Sequence, residues 1–272
     1  MSPEPESALR DRSIRDFGDQ WTKFTRNEGY YASRELLRDI VEPLLPVAAV
    51  EGAKAADIGS GTGRIVRMLA AAGADSIVAV EPSDAFDVLR QNVADLGDRV
   101  TCVRGRGEDL PGEGVYDLVL SIGVLHHIPD PAPAALRAYE ALRPGGHFLI
   151  WLYGEEGNRL YLALVRPLRA VTKRLPHRLL LLVCRLLDLP LVAYIAACRR
   201  VAALPLAAYM RGHLGRLDAY ARRLTIYDQL NPAWAKYYRK DEAEALLKNA
   251  GFLDVRSHHR HGYSWTVIGV KG

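Results

Sequence analysis

From Ala53 to about residue 171, short apolar runs alternate with longer amphipathic stretches. AKAADIG, SIVAVEP, RVTCVRG, YDLVLSIG and HFLIWLY are short and rich in apolar residues, and each reads as a strand covered on both faces. Between them, GRIVRMLAAAG and SDAFDVLRQNVADLG place apolar residues at helical spacing, with Gly73 and Gly97 as stops and Ser83 as N-cap. APAALRAYEALRPGG is a further helix, ended by Pro-Gly-Gly. Strands separated by helices of about 10–15 residues imply βαβ units, a parallel sheet with helices on both faces.

After Gly154 the rhythm breaks. The next fifty or so residues are leucine-rich and punctuated by Pro167, Pro176, Pro190 and Pro205, which are expected to cut them into several short helices. The most apolar window, Leu179–Cys198, holds Arg185, Asp188 and Pro190. A membrane-spanning helix tolerates few charges, so the window reads as not transmembrane. Basic residues recur at helical spacing, Arg159, Arg166 and Lys173, then Arg178 and Arg185, which puts each set on one helix face. Such faces suit a lid, a dimer arm or an anionic membrane surface. The αβ rhythm returns with KDEAEALLKNAGF, stopped by Gly251, and DVRSHHRH and YSWTVIGVK read as two closing strands.

The chain therefore divides into an N-terminal helical cap (1–50), a core (51–153), a helical insertion (154–235) and a closing helix and strands (236–272). Its first residues, MSPEPESALRDRS, lack an apolar core; they read as a loose tail and not as a signal peptide.

Composition changes this picture little. At 272 residues, 49% hydrophobic and 25% charged, the chain is an ordinary globular protein, long enough for one domain with an insertion. The net charge of +4 hides an asymmetry: residues 157–227 hold thirteen Lys and Arg against two acids, Asp188 and Asp218, and the remainder is net acidic. Cys102, Cys184 and Cys198 form no CxxC pair, so neither a disulfide framework nor a zinc site is expected, and a reducing cytoplasm fits. On a strand, His259 and His261 share a face while His258 points away, so these three are expected to be solvated or capping groups and no metal is expected.

Candidate chemistry begins at DIGSGTG, residues 57–63, between the first strand and first helix. Gly59, Gly61 and Gly63 allow a sharp turn and close approach of a ligand to main-chain N–H groups at a helix N-terminus. Glu81 follows at the tip of the second strand, where a carboxylate can accept both hydroxyls of a ribose. Together they point to a nucleoside-containing cofactor. The spacing GxGxG differs from the dinucleotide fingerprint GxGxxG.

DIGSGTG, VEPSDAF, the GEDLP at residues 107–111, YDLVLSIGVLHHIPDP and LRPGGHF together closely resemble class I S-adenosylmethionine-dependent methyltransferases. The likeness is to the small-molecule group that includes ubiquinone-biosynthesis and sugar O-methyltransferases, and it covers about residues 50–153. The resemblance implies a doubly wound, Rossmann-like α/β fold, with a seven-stranded, mostly parallel sheet of order 3-2-1-4-5-7-6 and the helical insertion following strand five. It implies S-adenosyl-L-methionine as cofactor and S-adenosylhomocysteine as product. Asp57, Gly59, Ser60, Gly61 and Gly63 would hold the methionine end, and Glu81, with Pro82, the ribose. Glu108 and Asp109 stand where relatives contact adenine, and Ser121 ends the fourth strand beside the methionine moiety. Arg106 departs from the pattern, since many relatives have an aspartate there.

His126 and His127 follow the fourth strand, beside the expected sulfonium. Methyl transfer to a hydroxyl or ammonium also removes a proton, and a general base typically contributes about 10²–10⁴. The pair is therefore the catalytic candidate, with substrate orientation as the alternative. FGDQWTKF with Tyr30 and Tyr31 resembles the N-terminal helix that covers the cofactor in relatives. The expected reaction is O-methylation of a small, apolar acceptor, with the insertion's arginines suited to an anionic one. The alternatives are an RNA or N-/C-methyltransferase, and a catalytically silent cofactor-binding protein with a membrane- or dimer-docking insertion. Nucleic acid is the weaker reading, because the basic residues alternate with leucine rather than with aromatics. The expected location is cytoplasmic, with peripheral membrane contact and a homodimer left open.

Overall fold

A computed structural model describes residues 5–172, 175–231 and 234–272, so Lys173 lies outside the described residues. At its centre is a seven-stranded sheet: β1 (Lys54–Ile58), β2 (Ser76–Glu81), β3 (Val100–Arg104), β4 (Tyr116–Ile122), β5 (Leu142–Tyr153), β6 (Leu253–Arg260) and β7 (Ser264–Val270). The order is β3-β2-β1-β4-β5-β7-β6. The first five strands run parallel, and β7 pairs antiparallel with β5 and with β6. The strand order reverses between β1 and β4, which opens the crevice in which doubly wound folds bind ligands.

The central strands are apolar throughout because both faces are covered. Ala55, Ala56 and Ile58 of β1, and Leu118, Val119 and Leu120 of β4, are buried. On one face lie α2 (Arg34–Val41) and α3 (Arg64–Ala71), which bring Leu37, Val66 and Leu69 onto Leu120 and Leu149. On the other, α5 (Ala132–Ala141) and α10 (Lys240–Asn249) bring Ala138 and Leu247 onto Phe148 and Val267. Between β2 and β3, α4 (Ala85–Asn92) is shorter than its sequence pattern. Its N-cap is Asp84, not Ser83, and after Asn92 a separate turn, Ala94–Arg99, contains Gly97 at φ 56°. Ser83 is drawn into a bond to Glu81 instead.

The expectation of a loose N-terminal tail is corrected. From Glu6 the chain is helical, and α1 (Glu6–Trp21) spans most of that stretch. Its ordering comes from ion pairs to the core, Arg10 to Glu108 at 3.0 Å and Asp11 to Arg106 at 3.0 Å, which the local sequence does not disclose.

The insertion forms α6 (Arg159–Thr172), α7 (His177–Arg200), α8 (Ala207–Gly212) and α9 (Ala219–Leu230). Only two of the four prolines separate helices: Pro176 caps α7 and Pro205 lies in the break before α8. Pro167 and Pro190 sit inside α6 and α7. Both are exposed, so the carbonyl each one leaves without an intrahelical partner is close to solvent. α9 is capped by Asp218, whose carboxylate accepts from Ala221 N at 2.7 Å. It packs on α7, where buried Asp188 meets Arg222 at 2.8 Å and Arg223 at 3.2 Å. By length and composition α7 could cross a membrane, and 22% of its most apolar stretch is buried.

Candidate active site

One cavity of about 490 Å³ runs from the tips of β1, β2 and β4 to the inner faces of α6, α7 and α9. At one end the glycine loop forms its wall. Gly59 (φ 77°) and Gly61 (φ 53°) adopt a backbone that other residues resist, and a Cβ on Gly59 would lie 2.6 Å from Val124. Glu81 holds this loop in place. Its Oε2 accepts from Gly61 N at 2.8 Å and its Oε1 from Ser83 N at 2.9 Å, and Ser83 Oγ donates to the same Oε1.

The cavity brings together Gly59, Ser60, Gly61, Glu81, Pro82, Glu108 and His127 among the residues singled out from sequence. The others do not line it. Asp57 is buried, with Oδ2 unpartnered; burial raises its carboxyl to about 7, while the Ser60 hydroxyl and Arg64 oppose the rise. Gly63 (φ 87°) starts α3, and Ser121 Oγ donates to Ile58 O at 3.2 Å. Asp109 is exposed beside the cavity and accepts from Arg106 N at 2.8 Å, and His126 is fully buried. The departure at Arg106 acquires a role here, because its guanidinium pairs with Asp11 of α1.

α1 closes this end of the cavity with Ile14, Phe17 and Trp21, joined by Tyr31. Phe24 and Tyr30 do not line it; Phe24 packs against Leu224 and Tyr227. The histidines occupy a tight turn, Leu125–His127, directly after β4. His127 Nδ1 lies 2.8 Å from Trp234 O, an acceptor only, so Nδ1 carries the proton and Nε2 is the free-electron-pair nitrogen. Burial lowers its pKa below the usual value, with Asp228 and the Trp234 carbonyl opposing, and the ring is neutral near pH 7. Phe17 packs against it at 4.6 Å between centroids. His126 is held well below its usual pKa by burial and by its neighbour His127, with the Trp151 backbone opposing. Its ring packs 3.9 Å from that of Tyr153.

The far end is built by groups the sequence reading did not single out. Tyr153 at the tip of β5 donates to Asp228 Oδ2 at 2.6 Å and accepts from Gln229 Nε2 at 2.6 Å. Gln229 Oε1 in turn accepts from Tyr161 at 2.7 Å, and Arg169 braces the set through Gln229 O and the Tyr237 hydroxyl. Tyr153 ends a legible strand and could have been found from that position; Asp228 and Gln229 lie in α9, where the sequence carries no motif. None of the insertion's described arginines lines the cavity, and Arg159, Arg166, Arg178 and Arg185 are exposed on its outside. The expected meeting of those arginines with an anionic acceptor is thereby corrected.

His261 is not on a strand either. It sits at φ 50° in the turn after β6, with Nε2 2.9 Å from Asp39 Oδ1, while His259 stacks on Trp265. Among the described residues, no group of three His, Cys, Asp or Glu is placed to hold a metal ion.

A family model described as a methyltransferase domain matches residues 56–148, the stretch that carries the glycine loop, Glu81 and the histidine turn. That stretch is a methyltransferase domain of the class I, S-adenosylmethionine-dependent kind. Over 102 residues the methyltransferase core is 31% identical to a ubiquinone biosynthesis O-methyltransferase of Aromatoleum aromaticum, covering 36% of this chain and 43% of that one. Over 117 residues it is 33% identical to a tRNA U34 carboxymethyltransferase of Alcanivorax borkumensis, covering 41% of this chain and 36% of that one. The match thus spans less than half the length of either relative. The fold is shared with magnesium protoporphyrin IX methyltransferase of Synechocystis PCC 6803, at a TM-score of 0.56 and 14% identity, covering 98% of this chain and 99% of that one.

S-adenosylmethionine is the cofactor of this core. The residues fit it: the loop walls the cavity with bare backbone at Gly59 and Gly61, and Glu81 presents a carboxylate at a strand tip. Oε1 already accepts two bonds and Oε2 one, so Oε2 can accept one ribose hydroxyl while Glu81 holds the loop.

Proposed function

We propose that this methyltransferase methylates an oxygen of a small, apolar acceptor, and that His127 removes the acceptor's proton. The observation that carries the reading is the state of His127: neutral, its Nδ1–H committed to Trp234 O, and on the wall of the cavity that the glycine loop also lines. When bound, S-adenosylmethionine supplies an electrophilic methyl group on a sulfonium. The chain's own residues do the rest. Glu81 fixes the loop, and Phe17 and Trp21 exclude water from the cofactor end. Tyr153, Asp228 and Gln229 present a polar end to an otherwise apolar pocket, enough to orient one hydroxyl-bearing head. Holding acceptor and donor in line contributes up to about 7–11 kcal/mol to the barrier reduction, and the base acts on what remains.

An amine acceptor is the second reading, favoured by the Asp228 carboxylate at the far end of the cavity. The test is a panel of phenols, alcohols and amines assayed for transfer, with S-adenosylhomocysteine binding measured separately by calorimetry. His127→Ala is expected to lower turnover about 100-fold or more with cofactor affinity intact. Turnover unchanged in that variant removes the base assignment, and methylation of amines alone moves the function to the second reading.

A further inference from the structure

Thirteen large apolar side chains stand exposed among the described residues, and ten of them lie between Leu160 and Val201. They fall into rows. Leu160, Leu164 and Val171 follow one side of α6, and Leu182, Leu186 and Leu189 one side of α7, at steps of three, four and seven. Leu164 and Leu189 are each 68% exposed. An exposed apolar row along each helix marks a place of interaction.

The charges identify the occupant. The outer faces also carry Arg159, Arg166, Arg178 and Arg185, all exposed. The one acid among the described residues of α6 and α7 is Asp188, buried against Arg222 and Arg223. Laid against its own copy by a two-fold axis, such a face meets arginine with arginine. An anionic bilayer answers both features, with leucines entering the headgroup–acyl boundary and guanidinium groups on lipid phosphates.

We propose that the outer faces of α6 and α7 dock this protein on an anionic lipid bilayer. Docking is peripheral, because the inner face of α7 is committed to α9 through the Asp188 ion pairs, which a spanning helix would break. The consequence for substrate class rests on the acceptor-site reading above. Val165 and Leu168 of α6 and Leu187 and Leu191 of α7 line the cavity from within, so a single layer of helix separates bilayer from acceptor site. The acceptor class that fits is a lipid-soluble molecule with one reactive polar head.

The test is flotation of the full chain with phosphatidylcholine vesicles, with and without phosphatidylglycerol. Binding is expected to the anionic vesicles alone, with release by high salt. The pairs Leu164→Ser with Leu186→Ser, and Arg178→Glu with Arg185→Glu, are each expected to lower partitioning about tenfold, with melting temperature and S-adenosylhomocysteine affinity unchanged. Three results overturn the proposal: no flotation with anionic vesicles, a solution dimer that the leucine variants dissolve, or binding that survives high salt and alkaline extraction. Flotation needs neither acceptor nor turnover, so docking and methyl transfer fail separately.

Discussion

Gly59 shows how much one backbone position decides. Its left-handed φ and the 2.6 Å approach of a Cβ to Val124 leave no room for a side chain. Gly59→Ala therefore forces the loop off Val124 and Glu81 off Gly61 together. S-adenosylhomocysteine affinity is expected to fall at least about tenfold, with destabilisation of about 1–3 kcal/mol. Calorimetry and thermal unfolding check both, and a variant that binds like the parent would show that the loop is not the cradle. The glycines and Glu81 were legible in the sequence because strand, turn and helix fix their spacing within a few residues. His126 and His127 were legible as a pair, but not as two different groups. One faces the cavity and the other is sealed beneath Tyr153, a distinction made by Trp234 and Phe17, both about 110 residues away along the chain.

At the scale of elements, α1 is the part the sequence misrepresented. Its buried residues are Ser13, Gly18 and Gln20, so its apolar pattern does not announce a helix that packs on anything. It is fastened at its middle by the Arg10–Glu108 and Asp11–Arg106 pairs, half-exposed and each worth about 0–1 kcal/mol. Because Ile14, Phe17 and Trp21 cover the cofactor end of the cavity, those pairs latch the entrance. Raising salt from low to physiological ionic strength is expected to speed S-adenosylhomocysteine release, and Arg106→Gln combined with Glu108→Gln to abolish most of that salt dependence. Stopped-flow fluorescence of Trp21 reads the rate; a release rate indifferent to salt would place the latch elsewhere. The prolines teach a related lesson. Pro167 and Pro190 were read as helix ends, yet each helix continues through them because both lie on its exposed side.

For the whole molecule, the sheet was readable and the insertion's packing was not. Short apolar strands have one way to be buried in a parallel sheet, so β1 to β5 follow from pattern. The insertion is apolar on more sides than it can bury, and periodicity cannot tell which side faces inward. Titration also acts at this scale. His126, His127 and His213 all have pKa values lowered chiefly by burial, so the unfolded chain takes up protons that the folded one refuses. Their contribution to stability is present above about pH 6.5, the unfolded value, and is lost as pH falls below it. Asp57 runs the other way, its contribution being lost as pH rises toward about 7, but it is one group against three. The melting temperature is expected to be lower at pH 5 than at pH 7.5, by about 3–6 °C. A scan flat across that interval would mean that the histidines are hydrated in the folded state.

The polar head of the acceptor pocket has one more consequence. Tyr153, Tyr161, Asp228, Gln229 and Tyr237 all fall outside residues 56–148, the stretch shared with the family. The stretch matched by the family model thus carries the glycine loop and Glu81, and on the proposed reading the polar groups outside it meet the acceptor. Grafting residues 153–237 onto a related core is expected to carry acceptor preference with it and leave donor affinity where it was.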